Sequence, residues 1–302
     1  MKRRMRNRIR RRRLAALILG PVTLIAATTS ITIAAAQTAG GTTLEAGRTA
    51  IGHGERLTLR GSGAGTPGSA VSIEFQRAGG ERWSHVREVE ADGAGGFTTR
   101  VRPRYSGSYR AVPAGGGASA PTPVRVRSRV ALDAERYAVI GDRLRLAGRV
   151  QPAGRRAVTV RIAGDRMGTH SGRDGKFAVA WRAGNTGRFR PAAAAAGNEL
   201  AAGDSDRGRR VTVYRPAQAS WYGPGLYGNR LACGGTLTPS TLGVAHKTLP
   251  CGTKVHLRLG GRTVTAPVVD RGPFAGGREY DLTARTKQKL GFGSTGTVLS
   301  SK

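Results

Sequence analysis

Acidic residues and cysteines are both scarce in this chain. Against 50 Lys and Arg stand only 18 Asp and Glu, and the 302 residues include two cysteines, five histidines and 5% aromatic residues. Cys233 and Cys251, with no further Cys or His pair beside them, make a poor zinc set, so no metal and no organic cofactor is expected. An even pair of cysteines in an exported chain points instead to a Cys233–Cys251 disulfide. No cysteine closes the apolar N-terminal stretch, which excludes a lipid-anchored form. The shortage of acids leaves a formal charge of +32.

Part of that charge is concentrated. Residues 1–13, MKRRMRNRIRRRR, hold nine basic side chains, and residues 14–36 are uncharged and end on Ala34-Ala35-Ala36. Basic, apolar and small-residue segments in that order are the layout of an export signal. The same apolar stretch is also long enough to span a bilayer as an uncleaved anchor. On either reading the basic end stays inside and residues 37 onward are extracytoplasmic. Setting the nine N-terminal charges aside leaves +23, a surface attracted to polyanions. Outside a cell these are anionic wall polymers and lipid headgroups, and no nucleic acid partner is expected. The alternative is that arginines scattered along strands serve solubility alone.

Residues 37–48 are Thr- and Gly-rich without apolar periodicity and read as a linker. An internal repeat follows. Gly54-Glu55-Arg56-Leu57-Thr58-Leu59-Arg60-Gly61 matches Gly141-Asp142-Arg143-Leu144-Arg145-Leu146-Ala147-Gly148, and Ala70-Val71-Ser72-Ile73 matches Ala157-Val158-Thr159-Val160, both at an offset of 87. Phe97 with Phe177, and Gly107 to Arg110 with Gly187 to Arg190, match at 80, so the copies differ in length by seven residues between these blocks. Period-two alternation separated by turns such as Ala91-Asp92-Gly93 and Arg173-Asp174-Gly175 predicts two all-β, immunoglobulin-like sandwiches, residues 49–128 and 129–215. Neither contains a cysteine, so the inter-sheet disulfide of antibody domains is absent. Asp92 and Asp174 are read as turn residues, and the pair of sandwiches as a spacer or wall-binding module.

From residue 216 the texture changes. Ala219-Ser220-Trp221-Tyr222-Gly223, then Tyr227 to Gly235, then Val244-Ala245-His246-Lys247-Thr248-Leu249-Pro250-Cys251-Gly252-Thr253 follow one another. Val268-Val269-Asp270-Arg271-Gly272-Pro273-Phe274 and Gly277-Arg278-Glu279-Tyr280-Asp281-Leu282-Thr283 complete the series. In order and spacing residues 216–302 resemble the rare lipoprotein A-like double-psi β-barrel family, relatives of the septal-ring lytic transglycosylases. The same barrel occurs in expansins and in one family of cellulases. The resemblance implies a six-stranded barrel acting on peptidoglycan glycan strands, with Asp270 as acid/base and His246 orienting it or stabilising charge. Tyr222, Arg271 and Trp221 would bind substrate, with Tyr222 in the groove and one of the two aromatics of the pair in the core.

The residues carry chemistry of their own. Asp270 ends an apolar strand beginning at Val264 and emerges onto a turn, a good position for a general acid. Asp281 precedes a stretch ending at Gly291 and reads as the start of a short helix, so its reading is structural. One departure bears on activity: the lytic relatives commonly carry a Glu after an Asn-Gly, where this chain has Cys233-Gly234-Gly235. A single acid suits lytic transglycosylation, in which a sugar's own hydroxyl closes onto its anomeric carbon. Hydrolysis needs a second carboxylate, and Glu279 and Asp281 are the candidates near Asp270 in sequence. The competing reading is a non-catalytic, expansin-like module that binds or loosens cell-wall glycan.

Overall fold

The computed structural model describes residues 41–63, 65–274 and 276–302. The signal and anchor readings of residues 1–36 lie outside the described residues. Among the described residues no helix is long and apolar enough to cross a membrane.

The first copy of the repeat supplies β1 (Thr43–Ala46), β2 (Ala50–Gly52), β3 (Leu57–Ser62), β4 (Ala70–Arg77), β5 (Trp83–Glu90), β6 (Phe97–Val101), β7 (Gly107–Pro113) and β8 (Thr122–Arg127). One sheet runs β1-β3-β6 and the other β2-β8-β7-β4-β5. Alternation explains the packing: Leu57 and Leu59 of β3 and Val124 and Val126 of β8 point inward, while Arg60, Arg125 and Arg127 stay exposed. The arginine excess is thereby carried on outer faces. β1 corrects the linker reading for residues 43–46. These pair with β3, and Leu44, the single large apolar side chain of the segment, is buried in the first sandwich.

The second copy supplies β9 (Arg129–Asp133), β10 (Tyr137–Val139), β11 (Arg143–Gln151), β12 (Ala157–Ile162), β13 (Asp165–His170), β14 (Lys176–Arg182), β15 (Gly187–Phe189), β16 (Ala192–Ala195) and β17 (Asp204–Arg207). Its sheets are β14-β11-β9 and β13-β12-β16-β17, with β10 and β15 pairing onto the strand that follows. The repeat is structural as well as textual. A Cβ on Gly61 would collide with the Phe97 ring, and one on Gly148 with Phe177, so each copy needs a glycine under its phenylalanine. The seven-residue difference lies in the hairpins: Ala157–His170 spans seven residues fewer than Ala70–Glu90 and closes on Ala163-Gly164, both at positive φ. Asp92 and Asp174 are turn residues, their Oδ1 atoms accepting from the backbone N–H of Gly96 (2.8 Å) and Lys176 (3.0 Å).

The barrel is built from β18 (Val211–Tyr222), β19 (Val244–His246), β20 (Lys254–Leu259), β21 (Arg262–Asp270), β22 (Tyr280–Thr283) and β23 (Gly296–Ser300), with one helix, α1 (Ala284–Leu290). These six strands close in the order β18-β22-β19-β21-β20-β23 and back to β18. The β18–β22 and β19–β21 pairs are parallel and the remainder antiparallel. Its interior holds Ala219, Val244, Leu257, Val268, Leu282 and the fully buried Tyr280, whose hydroxyl accepts from Ser300 Oγ at 2.9 Å. β18 begins in the second sandwich, where Val211 and Val213 are buried and β10 and β15 flank it, and it continues into the barrel. A cut between residues 215 and 216, where the sequence texture changes, therefore divides a strand.

Candidate active site

Strand register places the carboxylates. Asp270 of β21 pairs with Ala245 of β19, Ala245 with Asp281 of β22, and Asp281 with Ser220 of β18. Register mates share a face, so Ala245, Asp281 and Ser220 form one row across three strands, and a β-bulge between Val244 and Ala245 breaks the alternation against β21 and sets the strand-end Asp270 beside that row. Tyr280 and Ala219, their chain neighbours, fill the barrel interior, so the row faces outward. Asp270 and Asp281 are two strand spacings apart, on the order of 10 Å between Cα atoms, and the small Ala245 between them leaves room for their side chains to converge.

The two carboxyls differ in environment. Asp270 Oδ1 accepts from the backbone N–H of Ala232 and of Arg271, each at 2.9 Å. The Asp281 carboxyl is raised above its ordinary range, first by burial and then by the Asp270 charge, with Ser220 and Arg278 pulling the other way. Its Oδ1 is buried without a hydrogen-bond partner, as are the Tyr222 hydroxyl and Arg278 Nε. Burial, then Asp270 and Asp281, also push the Tyr222 hydroxyl upward. Three of the four orphaned buried polar side-chain atoms among the described residues thus gather around this row. Such groups cost free energy unless a ligand completes them.

Of the residues singled out in the sequence, Asp270 and Tyr222 come together here and His246 does not. His246 lies on the opposite face of β19, its ring 5.1 Å from that of Tyr280. Its Nδ1 accepts from the backbone N–H of Thr248 (3.1 Å) and Leu249 (3.0 Å), so the proton sits on Nε2, 3.7 Å from Glu279 Oε1. Burial lowers its pKa, against the opposing pull of Glu279. Glu279 is held in turn by a bidentate pair with Arg215; burial works to raise its carboxyl, but the guanidinium outweighs this and the value lies below the usual range.

Arg271 is likewise engaged in the fold. Its Nη1 donates to the carbonyls of His246 (3.3 Å) and Leu249 (3.0 Å), and Nη2 to Cys251 Sγ (3.2 Å). Trp221 alternates away from Tyr222, packs against the barrel core and carries Lys287 Nζ 3.5 Å from its ring centroid. These contacts hold the loops around His246 and Cys251 and the barrel core. Asp281 moves the other way. Tyr280–Thr283 pairs with both β18 and β19, so the helix cannot begin there. Its N-cap is Thr283, whose Oγ accepts from Thr286 N at 3.4 Å, and Gly291 closes it in the left-handed region.

Cys233 and Cys251 are bonded, with their Cα atoms 5.5 Å apart. The bridge ties the loop before β19 to the loop after it, beside the Ala232 N–H that contacts Asp270. Exposed apolar side chains lie on the loops that leave these strand ends: Phe274, 81% exposed, on the turn after Asp270, and Leu226 and Tyr227 on the loop after β18. Exposed aromatics on loops at a strand end were the available signal. Among the described residues no group of three or more His, Cys, Asp or Glu is placed to hold a metal.

The six strands close into a barrel of mixed parallel and antiparallel pairs that carries both carboxylates at one end of its sheet. A family model described as lytic transglycolase matches residues 216–299. Over 80 residues this chain is 47% identical to the probable endolytic peptidoglycan transglycosylase RlpA of Synechocystis, covering 26% of this chain and 25% of that protein. It is 42% identical over 82 residues to the endolytic peptidoglycan transglycosylase RlpA of Campylobacter jejuni, covering 26% and 30%. The probable enzyme of that name from Aquifex aeolicus is 37% identical over 92 residues, covering 30% and 41%. The chain therefore spans a quarter to two fifths of the length of these relatives. Residues 216–299 are an RlpA-like double-psi β-barrel domain.

Proposed function

We propose that this protein is an extracytoplasmic peptidoglycan lytic transglycosylase in which Asp270 and Asp281 act as a pair. The observation that carries the reading is the outward row that joins the two carboxyls beside the orphaned Tyr222 hydroxyl, in a domain related to named transglycosylases. Two carboxyls in one dry site hold one proton more readily than none. Burial raises the Asp281 carboxyl, so Asp281 is the store of that proton. In the reaction the pair gives its proton to the glycosidic oxygen as the bond to the anomeric carbon breaks. The sugar's own hydroxyl closes onto that carbon and returns its proton to the carboxylate, so no water is consumed. Phe274, Leu226 and Tyr227 offer apolar faces to the sugar rings.

The test uses the chain from residue 41, since a shorter protein starting at 216 would split β18. Incubated with peptidoglycan, the parent is expected to release soluble anhydro-muropeptides by mass spectrometry and Asp270→Asn to release none. Reducing-end products would replace the lyase with a hydrolase. Sedimentation with the wall and no soluble product from either protein would establish the expansin-like binding module instead.

Gly235, where the relatives commonly carry Glu, has φ +76° and nothing within 4 Å of a built Cβ. Gly235→Glu therefore has space but is strained, by about 1–2 kcal/mol. If the aspartate pair supplies both acid and base, this variant loses that much in urea unfolding and keeps the parent rate to within about twofold, far less than the factor a missing general acid or base is worth. A large gain in rate would assign the missing proton transfer to this position.

A further inference from the structure

The two sandwiches meet at a junction that the barrel chemistry does not use. Only Ser128 separates β8 from β9, and its Oγ donates to the Ala202 carbonyl at 2.7 Å while accepting from the Arg156 guanidinium. Ser106 N–H donates across the junction to the Leu200 carbonyl at 2.7 Å. Beside this weld lies a cleft of about 470 Å³, walled by His53, Arg102, Arg104 and Tyr105 from the first copy and by Arg149 and the 151–153 loop from the second.

The charge in this cleft is one-sided. Arg102, Arg104 and Arg149 line it and are exposed, and the single acidic residue of its wall, Asp174, is already paired with Lys176 Nζ at 3.1 Å. Arg156, 4% exposed, sits behind the loop and donates to the Pro152 carbonyl at 3.3 Å. Its Nε has no hydrogen-bond partner, and burial lowers its pKa. His53 reports the same field: its pKa is lowered by burial, then by Arg104, Arg156 and Arg129. Three arginines thus line one preformed cleft, with Arg156 behind its wall, and its one carboxylate is already paired. Guanidinium groups pair with oxyanions bidentately.

We propose that this cleft is an anion-binding site for the repeating oxyanion, phosphate or carboxylate, of an anionic polymer. It holds the chain to its surroundings at a point separate from the barrel groove. The diffuse positive charge of the remaining surface strengthens attraction everywhere, so the test must separate this site from that background.

The test follows the histidine ring protons of the chain from residue 41 by NMR through pH titrations at constant ionic strength. Inorganic phosphate is expected to raise the pKa of His53 while leaving His85 and His170 unmoved. Arg104→Gln with Arg149→Gln raises His53 without any anion and weakens retention on immobilised polyphosphate roughly tenfold, the worth of one charged hydrogen bond. Arg161→Gln with Arg166→Gln, exposed on the second sandwich, leaves both readings as in the parent. Parallel retention on polygalacturonate decides between phosphate and carboxylate as the preferred group. A His53 that ignores phosphate, or equal weakening by the two pairs of substitutions, would overturn the proposal and leave only diffuse attraction.

Discussion

Asp281→Asn is expected to cut the release of anhydro-muropeptides by roughly 10²–10⁴-fold, the range of a lost general acid, while leaving the protein at least as stable at pH 7. The stability arm follows from linkage. Burial first, and the Asp270 charge after it, raise the folded-state pKa of Asp281 above its unfolded value. Its contribution to stability is therefore fully present below the unfolded value and is lost as pH rises through the raised folded value. Above that window the parent carries a disfavoured carboxylate that Asn removes. Thermal melts from pH 4 to 8 should show the variant gaining on the parent as pH rises, and the parent's rate should fall over the same window. Because the pair works as a unit, adding Asp270→Asn to Asp281→Asn should cost little more than either alone. A variant clearly less stable than the parent at pH 7 would mean that Asp281 is ionised and well paired, and would end its role as the proton store.

Cys233→Ser combined with Cys251→Ser is expected to lower the unfolding free energy by about 3 kcal/mol, from the chain entropy released when a loop of this size is opened. The separation of 18 residues sets that scale. A second effect is local. Cys233 N–H donates to the Val269 carbonyl (3.2 Å) and Ala232 N–H to Asp270 (2.9 Å), so the bridge presses this peptide onto the end of β21. Opening it loosens one of the two backbone donors that hold the Asp270 carboxyl in place, and turnover should fall further than global unfolding at the assay temperature explains. Urea unfolding of the oxidised, reduced and double-Ser proteins, with activity measured well below each midpoint, separates the two effects. Equal midpoints would show that Arg271 and His246 alone hold the loop.

The sandwiches and the barrel were legible because their signals are periodic or dense. Leu57 and Leu59 recur as Leu144 and Leu146 and take the same buried places, and the Gly61–Phe97 contact recurs as Gly148–Phe177. The features hidden in the sequence share another cause, since each depends on a partner far along the chain. His246 lies in a strand of three residues, too short for alternation to reveal its face. Asp281 before a run ending in Gly291 looks like a cap, and only pairing with β18 and β19 shows that the strand persists to Thr283. Glu279 finds Arg215 across 64 residues, which no local pattern announces. β1 is polar apart from Leu44 and became visible as a strand only through its partner β3.

The continuous run of β18 also has a mechanical meaning. A tether made of a flexible joint would let the barrel swivel and would absorb a pull as rotation. Here the backbone from Val211 to Tyr222 is one strand, laced by β10 and β15 at one end and by β22 and β23 at the other. Tension applied through the sandwiches therefore loads the strand that carries Ser220 and Tyr222, and the orientation of these two side chains is set by the stem behind them.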